Sequence, residues 1–327
     1  MVDKILTDIY RIEIPIPKSP LKALNAYLIK GKERSLLVDT GLNRQESLRT
    51  MLQGLDELHV DLDRTDLFIT HLHADHLGLS EELYTGKNKV YFSEKEATLV
   101  MAISERVEER FQELYRYYIA NGFPGDELDR AVKYHPGFRY TPENPPPFSV
   151  LKEGDTLEVG DYAFRCIETP GHSPCHMCLY EEGKKILFSG DHILFNITPN
   201  ITRWPEFEDS LHNYLASLDR TYNLEVDLVL PGHRSIMKDH RQRIRELQEH
   251  HSQRLVEALT AVTEGAETAW EVAPKIHWDL VTPSWDTFPS VQKWFAIGET
   301  IAHLKYLEYE GKINSRNHNN RIVYSQK

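Results

Sequence analysis

A short run of histidines with one aspartate carries the strongest chemical signal in this sequence. Residues 71 to 76 contain His71, His73, Asp75 and His76. In an extended segment His71 and His73 point to the same side, whereas Asp75 and His76 lie past the turn and can face a second point nearby. Imidazole and carboxylate ligands favour zinc, iron or manganese over magnesium. The run therefore predicts a site for two divalent metal ions, with zinc first and iron or manganese as alternatives.

Three further candidate ligands share one local pattern, because each comes directly after a strand-like segment and a glycine. They are His172, Asp191 and His233. Glycine permits the backbone turn that presents a ligand. Each residue alone is more simply interpreted as structural. Together, with the same placement as the first run, they are expected to complete its coordination.

The elements that must position these residues are short apolar segments with the pattern of strands. They cover residues 35–38, 66–70, 162–167, 185–188 and 227–230, and each runs into a polar turn. Apolar runs bounded by such turns are typical of buried strands. Four of them end at a candidate ligand. The pattern predicts an α/β fold that carries the site at the carboxyl ends of its strands.

A helical segment separates the first histidine run from His172. Residues 94 to 121 have apolar side chains at spacings of three or four, which predicts one long amphipathic helix. A proline run at 145–147 then leads back to the sheet as a stiff connector. We expect a helical insertion over about 94–150. It either packs on the core or covers the metal cleft with Tyr115, Tyr117 and Tyr118.

The pattern changes after His233. Helix-forming residues extend over 239–263, about 267–277 and about 290–310, and the segment 312–325 fits a hairpin around an Asn-rich turn. Three helices and a hairpin indicate a winged-helix-like module. We therefore predict a catalytic domain at 1–238 and a C-terminal domain at 239–327.

Composition narrows the class of protein. The formal net charge of −12 over 327 residues repels phosphate backbones, which argues against nucleic acid as a partner without deciding the question. No run of about 18 uncharged apolar residues occurs, and the first residues are charged where a signal peptide is apolar. We expect a cytoplasmic protein without a membrane partner. The three cysteines do not form a disulfide framework.

Five landmarks occur in an order that resembles a known superfamily. They are Val38–Gly41, the run at 71–76, Thr169–Ser173, Ser189–Asp191 and Leu230–His233. Over about residues 8 to 235 the chain resembles the metallo-β-lactamase-fold hydrolases. The resemblance implies a four-layer αβ/βα sandwich with the metals at one edge.

Matched residue by residue, the resemblance implies two ligand sets that share one carboxylate. It assigns His71, His73 and His172 to one ion, Asp75, His76 and His233 to the other, and Asp191 to both. Two ions roughly 3.5 to 4 Å apart share a water whose pKa falls toward ~7, which supplies a metal-bound hydroxide as nucleophile. Asp75 is placed to orient this water and carry its proton as the catalytic residue. Asp39 is expected to fix a ligand loop through hydrogen bonds.

The C-terminal third resembles the lactamase-beta-like 2 subgroup, through residues 298–304 and Glu310–Gly311. One departure is Cys175, where that subgroup has glycine. We interpret the neighbouring His176 as structural and keep a thiolate ligand at Cys175 as a minor alternative.

These observations favour a metal-dependent hydrolase that acts on a small ester, lactone or thioester. A metal-dependent endoribonuclease is the alternative, since the subgroup resemblance suggests RNA. A mononuclear-iron persulfide dioxygenase is a lesser one. Flavodiiron chemistry is disfavoured because position 73 is histidine rather than glutamate. The C-terminal module is expected to serve packing or a homo-oligomer.

Overall fold

The structure is a computed structural model that describes residues 1–17, 19–204, 207, 209–279 and 284–327. Its centre is a pair of β-sheets packed face to face. The first has seven strands in sequence order: β1 (Val2–Leu6), β2 (Ile9–Pro15), β3 (Ala23–Ile29), β4 (Ser35–Val38), β5 (Thr65–Phe68), β6 (Val90–Ser93) and β7 (Phe148–Leu151). Strands β1 to β4 pair antiparallel, and β4 to β7 pair parallel.

The second sheet has five strands in the order β12-β11-β10-β9-β8. They are β8 (Thr156–Val159), β9 (Tyr162–Glu168), β10 (Met177–Glu181), β11 (Ile186–Gly190) and β12 (Leu228–Pro231). Only the β11–β12 pair among them is parallel. Every residue of β10 and β11 is buried, because this sheet is covered on both faces. Strands in such sheets typically have continuous apolar runs.

Helices cover the outer faces of both sheets. On the first sheet lie α1 (Gln45–Glu57), α2 (Ala74–Leu77) and α3 (Ser80–Leu83). On the second lie α8 (Ser210–Tyr222) and the first half of α9 (His240–Thr263). Between the sheets, Tyr27, Phe164 and Phe188 form an edge-to-face aromatic core. The four-layer αβ/βα sandwich predicted from the sequence is confirmed.

The helical insertion is the crossover between the parallel neighbours β6 and β7. It contains α4 (Glu94–Glu105), α5 (Val107–Ala120), α6 (Gly125–Tyr134) and α7 (Pro136–Arg139). The prediction of one long helix over 94–121 was wrong. The backbone leaves the helical region at Arg106, with φ −136° and ψ 40°. Two helices are needed because α4 packs on the first sheet, whereas α5 packs on the C-terminal helices.

The C-terminal module consists of the second half of α9, α10 (Ala269–Val272), α11 (Ser290–Tyr309) and the hairpin of β13 (Ile313–His318) and β14 (Arg321–Gln326). Asn319 and Asn320 turn the hairpin at φ 50° and 60°, the left-handed pair that a two-residue turn requires. These elements lie where the sequence predicts them. The winged-helix classification and the boundary at residue 238 stay predictions.

The insertion and the C-terminal module share one apolar cluster. The ring of Tyr118 stacks on Trp294 at 3.9 Å between centroids, and Phe123 packs against Trp270 at 4.9 Å. Tyr115 and Tyr117 pack against the same cluster. Tyr118 therefore does not wall the metal cleft, because its ring is buried with the C-terminal helices, and a cleft-lining role for Tyr115 and Tyr117 stays a prediction. Within the described residues no helix has the length and apolar character to cross a bilayer.

Candidate metal centre

All seven predicted ligands lie at one end of the two sheets. His71 and His73 follow β5, and α2 then carries Asp75 and His76. The remaining three follow the ends of strands in the second sheet: His172 after β9, Asp191 after β11 and His233 after β12. The carboxyl ends of strands from both sheets thus meet at a single cluster.

The side chains form three overlapping groups, in each of which the candidate ligand atoms lie within 4.8 Å of one another. They are His71 with His73 and His172, His71 with His76 and Asp191, and Asp75 with His76 and His233. The structure therefore brings together every predicted ligand, in groups that overlap at His71 and His76.

Asp191 is the central carboxylate. Its oxygens lie 3.5 Å from Nε2 of His76, 3.6 Å from Nε2 of His172 and 3.4 Å from Nε2 of His233. The same His233 nitrogen lies 3.3 Å from a carboxylate oxygen of Asp75. One carboxylate facing histidines of both predicted sets has the placement of a bridging ligand.

Several of these atoms are buried without a hydrogen-bond partner. They are Nε2 of His76, His172 and His233 and Oδ1 of Asp191. A buried polar atom without a partner lowers the stability of a fold by roughly 1 to 3 kcal/mol. Four such atoms that face one another therefore indicate a shared ligand that would bind all of them. Neutral imidazoles and a carboxylate are the donor set of zinc and related ions. The site fits divalent metal.

Hydrogen bonds behind the cluster fix the ring tautomers. Nδ1 of His172 donates to the carbonyl of Asn200 at 2.8 Å, and Nδ1 of His233 donates to the carbonyl of Ala23 at 2.7 Å. A carbonyl can only accept, so Nδ1 carries a proton in both rings and Nε2 faces the cluster. This is the arrangement that orients metal-bound histidines.

Asp39 performs the positioning role predicted for it. Its φ of 61° turns the chain after β4, and Oδ1 accepts from the Thr70 backbone N–H at 2.8 Å. Its Oδ2 lies 2.7 Å from Nδ1 of His76. The carboxylate thereby holds the start of the ligand loop and orients one ligand ring, which confirms the expected hydrogen bonds.

His176 is structural, as predicted. Its Nε2 accepts from the Asp191 backbone N–H at 3.1 Å, and Nδ1 bonds Thr169 Oγ1 at 2.8 Å. Cys175 belongs to none of the candidate metal groups among the described residues. Burial raises the pKa of its thiol to about 12, so the thiolate alternative at this position is not supported.

Glu96 is a site residue that the sequence did not reveal. It is fully buried, and its carboxylate accepts from the Leu72 N–H at 2.7 Å, the Cys175 N–H at 2.8 Å and the Ser173 hydroxyl. These bonds tie the loop of His71 and His73 to the loop of His172. Its only sequence signal was its position three residues after the helix-capping Ser93. That spacing indicates a role in capping α4 rather than in joining two loops.

The charge states of His73 and Asp75 suit metal binding. Burial, with the nearby His172, lowers the pKa of His73 to about 3, so this ring is neutral at neutral pH. Burial opposes ionisation of Asp75, but the nearby His233 and His76 lower its pKa to about 2. Trp204 lies over His73 at 6.0 Å between ring centroids and 25° between planes. An aromatic ring beside the candidate metal site is therefore supplied by Trp204.

The fold and this donor cluster define a metal-dependent hydrolase of the α/β sandwich type. The chain belongs to the metallo-beta-lactamase superfamily, whose family model matches residues 21–233. A second model, the C-terminal domain of metallo-beta-lactamase-like proteins, matches residues 255–326. The predicted resemblance is thereby confirmed for the superfamily and for the presence of a C-terminal module.

Individual relatives agree with this membership. The chain is 25% identical over 333 residues to the "Probable metallo-hydrolase YqjP" of Bacillus subtilis (strain 168), covering 97% of each chain. It is 28% identical to the bovine (Bos taurus) "Acyl-coenzyme A thioesterase MBLAC2", over 64% of this chain and 72% of that protein. The crystal structure of the metallo-beta-lactamase family protein TTHA1429 from Thermus thermophilus superposes with a TM-score of 0.84 at 30% identity, covering 98% of this chain and 99% of that chain.

Proposed function

We propose that the protein is a dinuclear metal-dependent hydrolase whose substrate is a small thioester, with esters and lactones as the next classes. The observation that carries the proposal is the cluster around Asp191, where four buried donor atoms converge without hydrogen-bond partners. His71, His73 and His172 would hold one ion, Asp75, His76 and His233 the other, and Asp191 both. Zinc is the first ion to test, with iron and manganese next.

Bound divalent ions would polarise the scissile carbonyl and bring the pKa of a water toward neutrality. The protein's own part is positioning and proton transfer. Asp75 is ionised at neutral pH and half-buried beside His233, so its carboxylate can accept a proton from the attacking water. The water oxygen adds to the carbonyl carbon, the carbon–sulfur bond breaks, and the proton passes to the departing thiolate, which leaves a carboxylic acid and a thiol. Asp75 is the catalytic residue of this proposal.

The thioester preference has two supports. A relative that aligns with 64% of this chain is named an acyl-coenzyme A thioesterase. Trp204, beside His73, also offers a flat apolar surface of the kind that acyl groups pack against. RNA is disfavoured because the net charge is −12, which repels a polyanion.

The test is hydrolysis of thioesters, esters, lactones and single-stranded RNA by protein loaded with zinc, iron or manganese, with elemental analysis alongside. We expect about two ions per chain and turnover of a thioester. His73→Ala should reduce turnover by at least about a hundredfold, since a ligand is lost. The matched control is His318→Ala, which removes an exposed hairpin histidine. RNA as the best substrate, or full activity after metal removal, would replace this function with another.

A further inference from the structure

A chain of buried contacts links the C-terminal helices to the candidate ligand His172. Glu299 on α11 forms an ion pair with Arg254 on α9, and the two residues are 4% and 7% exposed. The other oxygen of Glu299 accepts from Nδ2 of Asn200 at 2.6 Å. The backbone carbonyl of Asn200 in turn accepts from Nδ1 of His172 at 2.8 Å.

The position of the Asn200 carbonyl decides how the His172 ring is held. This carbonyl fixes the proton on Nδ1, which leaves the Nε2 lone pair 3.6 Å from Asp191. Asn200 itself lies in a segment, residues 191–204, that forms neither helix nor strand. Single bonds rather than a sheet hold the segment: the Arg203 N–H donates to the Gly298 carbonyl at 3.3 Å, and Arg243 donates to the carbonyls of Leu194 and Ile197. The side-chain bonds of Asn200 to α11 hold the residue that carries the carbonyl itself. Nδ2 of Asn200 also reaches the carbonyl of Phe295 on the same helix, at 3.3 Å.

Glu299 is in turn held rigidly by Arg254. The guanidinium also donates to the carbonyl of His277 at 3.0 Å, and its plane lies over the ring of Trp278 at 4.2 Å. A charged pair that is buried and stacked in this way has few alternative arrangements. The carboxylate oxygen that faces Asn200 is therefore presented in one place.

We propose that Glu299, fixed by Arg254, is a positioning residue for His172, so that the C-terminal module forms part of the metal centre. The module sets the tautomer and orientation of one ligand ring through Asn200. This inference rests on the metal role proposed above for His172, and it adds a function for the C-terminal helices.

The experiment uses the full chain and three variants: Asn200→Ala, Glu299→Gln and the double variant. Asn200→Ala keeps the backbone carbonyl and the buried Arg254–Glu299 pair, so it tests the contact chain with the core intact. Ring ¹⁵N spectra of metal-free protein report the tautomer of His172, whose signals are identified by their loss in His172→Gln. Chelator competition with zinc measures the affinity of each bound ion.

The matched control is Glu127→Gln. Glu127 accepts from the buried Lys293 of α11 at 2.8 Å, so this variant breaks another ion pair on the same helix that does not lead to His172. We expect mixed His172 tautomers and a 10- to 100-fold weaker affinity for one zinc ion in Asn200→Ala and Glu299→Gln, the size typical of lost partners behind a ligand. The double variant should be no worse than the more affected single variant, because both act on one chain of contacts.

A His172 ring that keeps Nδ1–H, together with zinc affinities matching Glu127→Gln, would overturn the positioning role. The tautomer measurement needs neither metal nor substrate. A wild type that binds no zinc would remove the proposed function, while the ring spectra would still decide whether Glu299 positions His172.

Discussion

At the scale of single residues, the carboxylate of Glu96 holds two ligand loops from behind. Three donors converge on it, from Leu72, Ser173 and Cys175. Burial raises the pKa of Glu96 to about 7, against the lowering effect of these three bonds. The residue touches no predicted ligand atom, yet it bonds both of the loops that carry the ligands predicted for one ion.

Glu96→Gln should weaken metal retention because an amide cannot accept from both backbone N–H groups with its two terminal atoms. We expect a 10- to 100-fold loss of zinc affinity, measured by chelator competition. Glu94→Gln, two residues earlier on the same helix and exposed, is the control. Equal retention by both variants would show that the clamp has no effect on the metals.

The sequence revealed the candidate ligands because each is a coordinating residue type at a strand end, which is a local pattern. Glu96, Asn200 and Trp204 were missed for the opposite reason. Glu96 meets Cys175 across 79 positions and Asn200 meets Glu299 across 99, and spacing along the chain carries no record of such contacts. Residues that hold ligands are defined by the fold, whereas the ligands themselves are defined by their chemistry.

At the scale of elements, α5 is joined to the C-terminal helices through its buried residue, Tyr118. Tyr118 is 4% exposed and stacked on Trp294. Tyr118→Ala should lower the free energy of unfolding by about 3 to 5 kcal/mol, the usual cost of deleting a buried ring, and leave KM unchanged. Urea denaturation and steady-state kinetics measure the two effects. Tyr134→Ala, at a side chain that is 56% exposed, is the comparison, and a raised KM in Tyr118→Ala alone would restore the lid hypothesis.

Helix periodicity explains both the success and the error over this segment. Apolar side chains recur at helical spacing from α4 into α5, so the helical state was predicted. The break at Arg106 was not predicted, because periodicity indicates which side of a helix is apolar but not which element packs against that side. Ala97 and Val100 pack with the first sheet, whereas Tyr118 packs with α11.

Burial in α11 makes His303 a source of acid sensitivity. Burial lowers its pKa from 6.5 to about 3, and Nδ1 donates to the carbonyl of Glu299. Since the folded pKa is depressed, the neutral ring contributes full stability above about pH 6.5, and this is lost as the pH falls toward about 3. The loss is about 1.4 kcal/mol per pH unit.

His303→Gln removes this titration and retains an amide donor. The stability advantage of the wild type over this variant should shrink by about 3 kcal/mol between about pH 6.5 and about pH 4.5. Urea denaturation at several pH values measures it, and His318→Gln, at an exposed hairpin histidine, should show no such trend. A constant difference between wild type and His303→Gln would mean that His303 is not the titrating group.

At the scale of the whole molecule, the two family-model matches at 21–233 and 255–326 do not correspond to two independent cores. The insertion, which lies within the first match, contributes Tyr118, Phe123 and Leu128 to the cluster of the C-terminal helices. In the other direction, Leu255 and Tyr306, which lie within the second match, pack against the cluster beneath the second sheet. Each match therefore depends on the other for its packing.

We expect urea unfolding in one cooperative transition. Four of the five tryptophans lie in the C-terminal module, so their fluorescence reports mainly on that part, while far-ultraviolet circular dichroism reports on all elements. Coincident midpoints are the expected result. Fluorescence that changes at a clearly lower urea concentration would mean that the module unfolds by itself.

The separation of Tyr118 and Trp294 along the chain also determines when this core can form during synthesis on the ribosome. The two rings are 176 positions apart. At a translation rate of about 5 to 20 residues per second, the apolar faces of α5 and α6 are synthesised roughly 10 to 35 s before their partners. During that interval the nascent chain offers an uncovered helical surface to chaperones and to neighbouring nascent chains. Tyr324, which enters the same cluster from β14, is synthesised later still, so closure of this core has to wait for that strand as well.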